Sequence, residues 1–206
     1  KGDVDKSGGR FSRISGHPPG DWLTVVSNLD ESGRAQTVKR FASGLNIPIG
    51  VVPLGEGSSV LAYDIPSIRR HEDTDGNGKA DKNSTVYTRF GHGDTHGMAN
   101  GFTRWADGWI YGCHGFSNRS AITDGRGVTT KLFSGNTIRF RPDGSCFEQF
   151  TRGQVNPFGI TYDALGNLYN ADCHSMPIYM LLRGGTYLRP SWAQPKADSL
   201  GFVPKM

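Results

Sequence analysis

Short apolar runs alternate with polar, glycine-rich turns along most of the chain. The runs predict strands near residues 22–26, 37–41, 60–63, 86–90, 109–111, 147–150 and 168–169. Runs this short, bounded by Gly, Pro, Asn and Asp, are typical of strands rather than helices. No amphipathic helix of useful length accompanies them. The pattern therefore predicts an all-β protein.

The same order of strands and turns occurs three times. The polar turn that holds Asp30 returns 45 residues later at Asp75. The first and third copies share a spacing of 109, seen between Pro48 and Pro157. The repeat units lie near residues 22–63, 64–115 and 136–182. Units of this size, built only from short strands and turns, are typical of β-propeller blades.

We therefore expect a β-propeller of the six-bladed type, with residues 1–206 forming a single domain or a fragment of one. About three to four blades fit the repeat count. A complete four-bladed ring is an alternative at this length, and a sandwich or barrel with chance repeats is another. The extra length between the second and third copies falls in residues 118–135, a polar segment that predicts a loop.

Composition narrows the classes of partner. Glycine supplies 29 of 206 residues, about twice its usual share, which fits a chain rich in turns. The net charge is +4, but the basic residues are scattered, so we expect no nucleic-acid partner. The longest apolar run, 178–182, is far shorter than the roughly 20 residues of a membrane-spanning helix. The chain begins at Lys1 without a signal peptide, which predicts a processed or trimmed product.

One acidic loop resembles a calcium-binding loop. Positions 1, 3, 5, 7 and 9 of an EF-hand-type loop would be Asp73, Asp75, Asn77, Lys79 (through its carbonyl) and Asp81. Gly78 supplies the sharp turn, but Ser84 stands where a bidentate glutamate is expected, and flanking helices are absent. The sequence leaves two interpretations open: a calcium site completed by ligands from elsewhere, or a solvated turn without a metal.

One aligned position of the repeat is a histidine in only one of the three copies. The position is Ile47 in the first copy, His96 in the second and Asn156 in the third. Turn positions of this kind can lie at the mouth of a propeller channel, where neutral histidine can act as a general base. Asp94 could orient the ring. We therefore predict His96 and Asp94 as catalytic residues, the alternative being a histidine that only stabilises its turn.

Two cysteine-histidine pairs follow apolar strands, at Cys113-His114 and within residues 172–174. They could form a metal cluster, form a disulfide, or fill the loops of adjacent blades. Neither a G-x-S-x-G motif nor a glycine-rich nucleotide loop is present, so a hydrolase triad has no support.

Several motifs between residues 22 and 187 occur in an order that resembles a known family. They are Gly44-Leu45-Asn46-Ile47-Pro48, the loop 73–81, Asp94-Thr95-His96-Gly97-Met98, Asp107-Gly108-Trp109-Ile110-Tyr111, Phe140-Arg141-Pro142-Asp143-Gly144 and Asn156-Pro157-Phe158-Gly159. The chain resembles bacterial β-propellers described as membrane-bound dehydrogenases, which are related to soluble glucose and sorbosone dehydrogenases that use pyrroloquinoline quinone (PQQ).

The resemblance implies a six-bladed propeller, export to the periplasm or cell surface, and PQQ as a cofactor, whereas the expectation of calcium comes from the loop at 73–81. The resemblance also implies that His96 removes a hydroxyl proton while hydride passes to the quinone. The arginine that contacts the quinone in the sugar dehydrogenases is replaced here by Val155. Candidate cofactor-binding residues are Asn156, Asp172 and His174. Members of the family often carry a haem domain downstream, which is a possible partner.

Three functions follow from these observations. The first is a sugar- or alcohol-oxidising enzyme with His96 as the base and a carbohydrate or alcohol as substrate. The second is a non-catalytic propeller that binds carbohydrate or protein. The third is a lactonase-like hydrolase in which calcium and His96 activate water.

Overall fold

A computed structural model describes residues 20–187, apart from residues 56 and 176, and three short strands outside that range. These strands are β1 (Val4–Asp5), β2 (Ser12–Arg13) and β19 (Phe202–Val203). The described residues form strands and turns and contain no helix, so the all-β prediction is confirmed. In this part of the chain, therefore, no helix has the length and apolarity needed to cross a membrane.

The first two larger sheets are antiparallel and follow each other along the chain. The first sheet is a hairpin of β3 (Asp21–Leu29) and β4 (Ala35–Leu45). The second is a four-stranded meander of β5 (Val51–Leu54), β6 (Ser59–Asp64), β7 (Ser67–Glu72) and β8 (Lys82–Tyr87).

The third sheet contains another meander and carries an insertion. Its meander consists of β9 (Ala99–Arg104), β10 (Ile110–His114), β13 (Gly135–Phe140) and β14 (Phe147–Gln154). Beyond β14, the strands β18 (Thr186–Tyr187) and β19 add in parallel. A separate hairpin of β11 (Arg119–Thr123) and β12 (Thr129–Phe133) is inserted between β10 and β13.

The fourth sheet has three antiparallel strands, β15 (Pro157–Tyr162), β16 (Leu168–Asp172) and β17 (Ile178–Leu181). Three apolar cores join the four sheets, one between each consecutive pair. Strand β6 shows how, because successive residues of a strand face opposite sides. Val60 and Ala62 pack against the first sheet, whereas Leu61 and Tyr63 belong to the core shared with the third sheet.

The first strands of the second, third and fourth sheets lie close together, and glycine permits the approach. Gly101 in β9 has φ +62°, and a Cβ placed on it would lie 2.8 Å from the Cα atom of Gly159 in β15. A Cβ on Gly50, just before β5, would lie 3.0 Å from the Phe102 ring. The sheets therefore converge at their first strands, while the described sheets do not close into a ring.

The repeat units and the sheets are offset along the chain, and two local predictions are wrong. Each repeat unit begins in one sheet and ends in the next, so that residues 22–63 hold the first sheet and half of the second. The strand predicted at 86–90 is wrong in position, because β8 ends at Tyr87 and Phe90 leaves the sheet to donate its N–H to Pro66 O. The loop predicted at 118–135 is wrong too, because β11 and β12 form a regular hairpin there.

Candidate functional site

A cavity of about 790 Å³ lies where the four sheets meet. It is lined by Asp21, Trp22, Ile47, Pro48, Ile49, Thr95, His96, Asn156, Phe158, Cys173 and His174. The three aligned positions of the repeats, Ile47, His96 and Asn156, all contribute to this lining, and each lies in the turn before the first strand of a sheet. The residues that align in the sequence repeat thus lie around the same cavity in the structure.

His96 and Asp94 form a hydrogen-bonded pair at the cavity. Nδ1 of His96 lies 3.0 Å from Oδ1 of Asp94, and the backbone N–H of His96 donates to the same oxygen at 3.0 Å. The imidazole is 74% exposed, whereas the carboxylate is largely buried. A carboxylate oxygen only accepts, so a neutral ring in this pair carries its proton on Nδ1 and its lone pair on Nε2. This is the arrangement that a general base requires.

The side chain of Asn156 joins three turns of the cavity wall. Its Oδ1 accepts the N–H of Phe116 at 2.9 Å, and its Nδ2 donates to His96 O at 3.4 Å and to Cys173 Sγ at 3.2 Å. The residue is buried and lines the cavity. The carboxamide is therefore engaged within the protein while its surface faces the cavity.

Asp172 organises the neighbouring turn. Its carboxylate accepts the backbone N–H groups of Val155 at 2.7 Å, Asn156 at 3.0 Å and His174 at 3.1 Å. Asp172 is buried and does not line the cavity, whereas the His174 ring does, 6.1 Å from the ring of Phe116. Of the three predicted cofactor-binding residues, Asn156 and His174 thus reach the cavity, and Asp172 supports the turn that carries them.

The Cys113-His114 pair lies inside the third sheet. Cys113, Cys146 and Cys173 are all free thiols, so the disulfide alternative is wrong. Burial raises the pKa of the Cys113 thiol to about 12 and lowers the pKa of His114 to about 4. Both groups are therefore neutral near pH 7, and His114 serves packing and hydrogen bonding.

The acidic loop at 73–81 closes on its own backbone. Asp73 accepts N–H groups from Gly76 at 2.8 Å and Gly78 at 2.7 Å, and Asp81 accepts the N–H and hydroxyl of Thr74. Within the described part of the chain, no three His, Cys, Asp or Glu side chains come together in a metal-binding group. The carboxylate oxygens of Asp73 and Asp81 thus accept hydrogen bonds from the loop itself, and both interpretations of the loop stay predictions.

Sequence reasoning missed the aromatic residues of the cavity. Trp22 and Phe158, each about half exposed, come from the first and the fourth sheets. Arg40 stacks on the Trp22 ring at 4.2 Å. Exposed aromatic side chains beside polar groups suit ring-shaped ligands with one apolar face, such as sugars. The only sequence signal for Trp22 was a tryptophan at the start of a predicted strand, and that pattern alone does not indicate a site.

The solved structures that are similar to the chain include three redox or carbohydrate-active proteins. The PQQ-bound aldose sugar dehydrogenase of Streptomyces coelicolor has 16% identity and a TM-score of 0.37, with 88% of this chain and 70% of that chain covered. The calcium structure of a carbohydrate-active enzyme of family AA12 from Trichoderma reesei has 16% identity and a TM-score of 0.37, covering 73% and 32%. The holo PQQ domain of pyranose dehydrogenase from Coprinopsis cinerea has 15% identity and a TM-score of 0.33, covering 82% and 57%.

Scores this low transfer neither a site nor an activity to the chain, which spans about a third of the Trichoderma protein and little more than half of the Coprinopsis domain. No curated protein matches the sequence. A family model described as "Domain of unknown function (DUF7133)" matches residues 6–200. Because that model covers nearly all of the 206 residues, the chain belongs to the DUF7133 family.

Proposed function

We propose that the chain is part of a β-propeller whose cavity binds a carbohydrate or another polyol, and that His96 removes a proton from a ligand hydroxyl during its oxidation. One observation carries the proposal: three equivalent turns converge on one cavity, and only the second presents a base held by a carboxylate. Four successive sheets that pack face to face and converge at their first strands support the propeller architecture.

The residues at the cavity can bind the ligand and take up one of its protons. Trp22 and Phe158 provide apolar surface for a sugar ring, and the polar residue Thr95 lies beside it, while Asn156 holds the turns of the cavity wall together. His96 accepts the hydroxyl proton on Nε2, and Asp94 stabilises the charged imidazolium that results. Oxidation also requires a hydride acceptor, which the resemblance implies to be a quinone.

PQQ does not fit the described lining. It is a tricarboxylate, and such anions are normally bound by Arg and Lys side chains. The lining among the described residues contains one carboxylate, Asp21, and neither Arg nor Lys. Val155, at the position of the quinone-binding arginine of the sugar dehydrogenases, is fully buried. A quinone acceptor would therefore be held by residues other than those described, and export to the periplasm or cell surface stays an expectation from the resemblance.

The test combines binding with turnover. A panel of aldoses and alditols is titrated into the protein by calorimetry, and dye-linked oxidation is followed with a soluble quinone as acceptor. His96→Ala should lower turnover by about 100-fold or more, because a positioned general base contributes on that scale. His92→Ala is the matched control, since His92 is half-buried, bonds only Phe90 O among the described contacts and does not line the cavity.

The outcomes separate the candidate functions. Sugar binding without oxidation in any acceptor would favour the non-catalytic carbohydrate-binding propeller. Hydrolysis of a lactone panel that depends on His96 would favour the hydrolase. If His96→Ala and His92→Ala oxidise sugars equally well, His96 is not the base.

A further inference from the structure

The hairpin β11–β12 follows only the copy that contains His96, and the other two copies lack it. Residues 118–135 have no counterpart in the first or third copy. The residue immediately before β11 is Asn118, which is 1% exposed. A buried asparagine needs partners for its amide oxygen and both amide hydrogens, so its contacts show what the insertion holds.

Asn118 bonds both ends of the turn that carries His96. Its Oδ1 accepts the N–H of Asp94 at 3.1 Å, and its Nδ2 donates to Asp94 O at 2.8 Å and to Gly97 O at 2.9 Å. These three bonds fix the backbone on either side of His96. We infer that Asn118 is a positioning residue, through which the inserted hairpin holds the His96 imidazole against the Asp94 carboxylate.

The hairpin is itself anchored, so Asn118 is fixed in place. Ser120 accepts the N–H of Gly91 at 2.8 Å and lies 2.7 Å from Nε2 of His114. At the far end of the hairpin, the carboxylate of Asp124 accepts the N–H of Phe147 at 3.2 Å. Ile122 and Leu132, one from each strand, belong to the apolar core between the second and third sheets. Movement of Asn118 would require this docking to be undone.

A second close contact holds the turn from the other side. Gly97 lies against the backbone of Gly115 and Phe116, so closely that a Cβ on Gly97 would overlap the Phe116 amide and carbonyl. The turn at 94–97 is thus held between Asn118 and the segment that follows β10. The chemical consequence is that the Nδ1–H to Asp94 bond persists and the lone pair stays on Nε2. The catalytic meaning of this geometry rests on the role proposed above for His96.

The tautomer of His96 provides a test that needs no substrate. In ¹⁵N-labelled protein at mildly alkaline pH, long-range ¹H–¹⁵N spectra report the ratio of Nδ1–H to Nε2–H forms, and His96→Gln assigns the signal. Asn118→Ala and Asn118→Asp remove the donations to Asp94 O and Gly97 O. The ratio should fall by about fivefold in both, which is what one hydrogen bond of ordinary net strength is worth.

Asn170→Ala is the matched control. Asn170 is equally buried and bonds Thr137 and Gln154, away from the His96 turn, so this variant should lose stability while keeping the wild-type ratio. Folded Asn118 variants that keep the wild-type ratio would overturn the inference. If neither variant folds, hydrogen exchange of the wild-type protein decides. If the Asp94 amide is protected as well as that of Asn46, which bonds Asp64, the positioning role of Asn118 is supported. Exchange at the rate of an exposed amide refutes that role.

The result can be separated from the fate of the proposed function. A shifted tautomer ratio in a protein that neither binds nor oxidises any sugar would support the positioning role and refute the function. Sugar oxidation that requires His96 but is accompanied by an unchanged ratio in the folded Asn118 variants would do the reverse.

Discussion

The turns around Ile47 and His96 occupy equivalent places in two copies of one repeat, yet they are held differently. In the first copy, carboxylates hold the backbone: Asp64 accepts the N–H of Asn46 at 2.7 Å, and Asp21 accepts the N–H of Ile47 at 2.9 Å. Ile47 has φ +52° and is buried in the core. In the second copy a carboxamide from an inserted hairpin holds the turn, and the histidine is exposed.

The difference indicates how one skeleton can serve two purposes. The Ile47 turn completes an apolar core, so its side chain contributes mainly to stability. In the His96 turn, Asn118 and Gly97 make the contacts that hold the backbone. The imidazole makes none of these contacts and faces solvent and the cavity.

Gly97→Ala should be the most damaging change. Its Cβ would overlap backbone atoms of Phe116, which cannot move aside as a flexible side chain can. We expect a loss of about 3 kcal/mol in the free energy of unfolding, measured by urea denaturation. In the first copy, Gly50→Ala meets only the Phe102 ring at 3.0 Å and should cost less. Gly93→Ala, whose nearest neighbour would be Asn118 Oδ1 at 3.9 Å, serves as the control. Equal losses for Gly97→Ala and Gly93→Ala would contradict the close backbone contact.

Acid should lower the free energy of unfolding through His114, whose ring bonds Ser120 of the inserted hairpin. Burial lowers the pKa of His114 to about 4, so between pH 6.5 and 4 the unfolded chain binds more protons than the folded one. The stability that depends on neutral His114 is complete above pH 6.5 and is lost as the pH falls toward 4, at up to about 1.4 kcal/mol per pH unit.

The measurement is urea denaturation across this pH range, with His114→Gln for comparison. The variant should be less stable at pH 7 but should show a shallower slope. His71 adds a slope of the same sign, because burial lowers its pKa as well, and that contribution is common to both proteins. A slope that is identical with and without His114 would show that its pKa is not depressed.

Asp172→Ala should cost about 2 kcal/mol, since hydrogen bonds to a buried charged group are strong and three N–H groups would lose their acceptor. Asp64→Ala, in the first copy, removes the acceptor of Asn46 N–H and should cost about half as much. Thermal unfolding followed by circular dichroism gives both values. A smaller loss for Asp172→Ala than for Asp64→Ala would reverse the expected ranking of the two turns.

The smallest effects should come from the sister polar turns. Asp30 and Asp73 each accept N–H groups of their own exposed loop, so Asp30→Ser and Asp73→Ser should lower the melting temperature slightly and to a similar extent in EDTA. Excess calcium separates the two interpretations of the loop at 73–81. A rise in melting temperature that Asp73→Ser abolishes and Asp30→Ser keeps would establish a calcium site there.

Much of the architecture was predictable because short local sequence patterns mark the strands and turns of each repeat. Polar turns, glycines and short apolar runs predicted the strands, and the shared spacing of Pro48 and Pro157 predicted that equivalent turns would recur. That alignment also selected Ile47, His96 and Asn156, which line one cavity. Repetition allows three-dimensional proximity to be inferred from sequence, since equivalent residues occupy equivalent places.

The rest depends on contacts that have no local signature. The polar composition of residues 118–135 predicts a loop, because β11 buries Ser120, a polar residue that bonds Gly91 and His114 outside the hairpin. The role of Asn118 is invisible for the same reason, since asparagine before a strand usually indicates a turn. Trp22 reaches the cavity only because the first sheet packs beside the second.

The third and fourth sheets meet where Gly101 contacts Gly159, without an intervening side chain. Where two strands meet through glycine, the main chain sets the distance between neighbouring sheets, and no side chain is required to act as a spacer. The backbone then sets the spacing of the sheets around the cavity. The side chains that line the cavity can be substituted one at a time without changing that spacing. On such a scaffold, single substitutions at cavity-lining positions such as Trp22 can change the surface of the cavity while the backbone stays as it is.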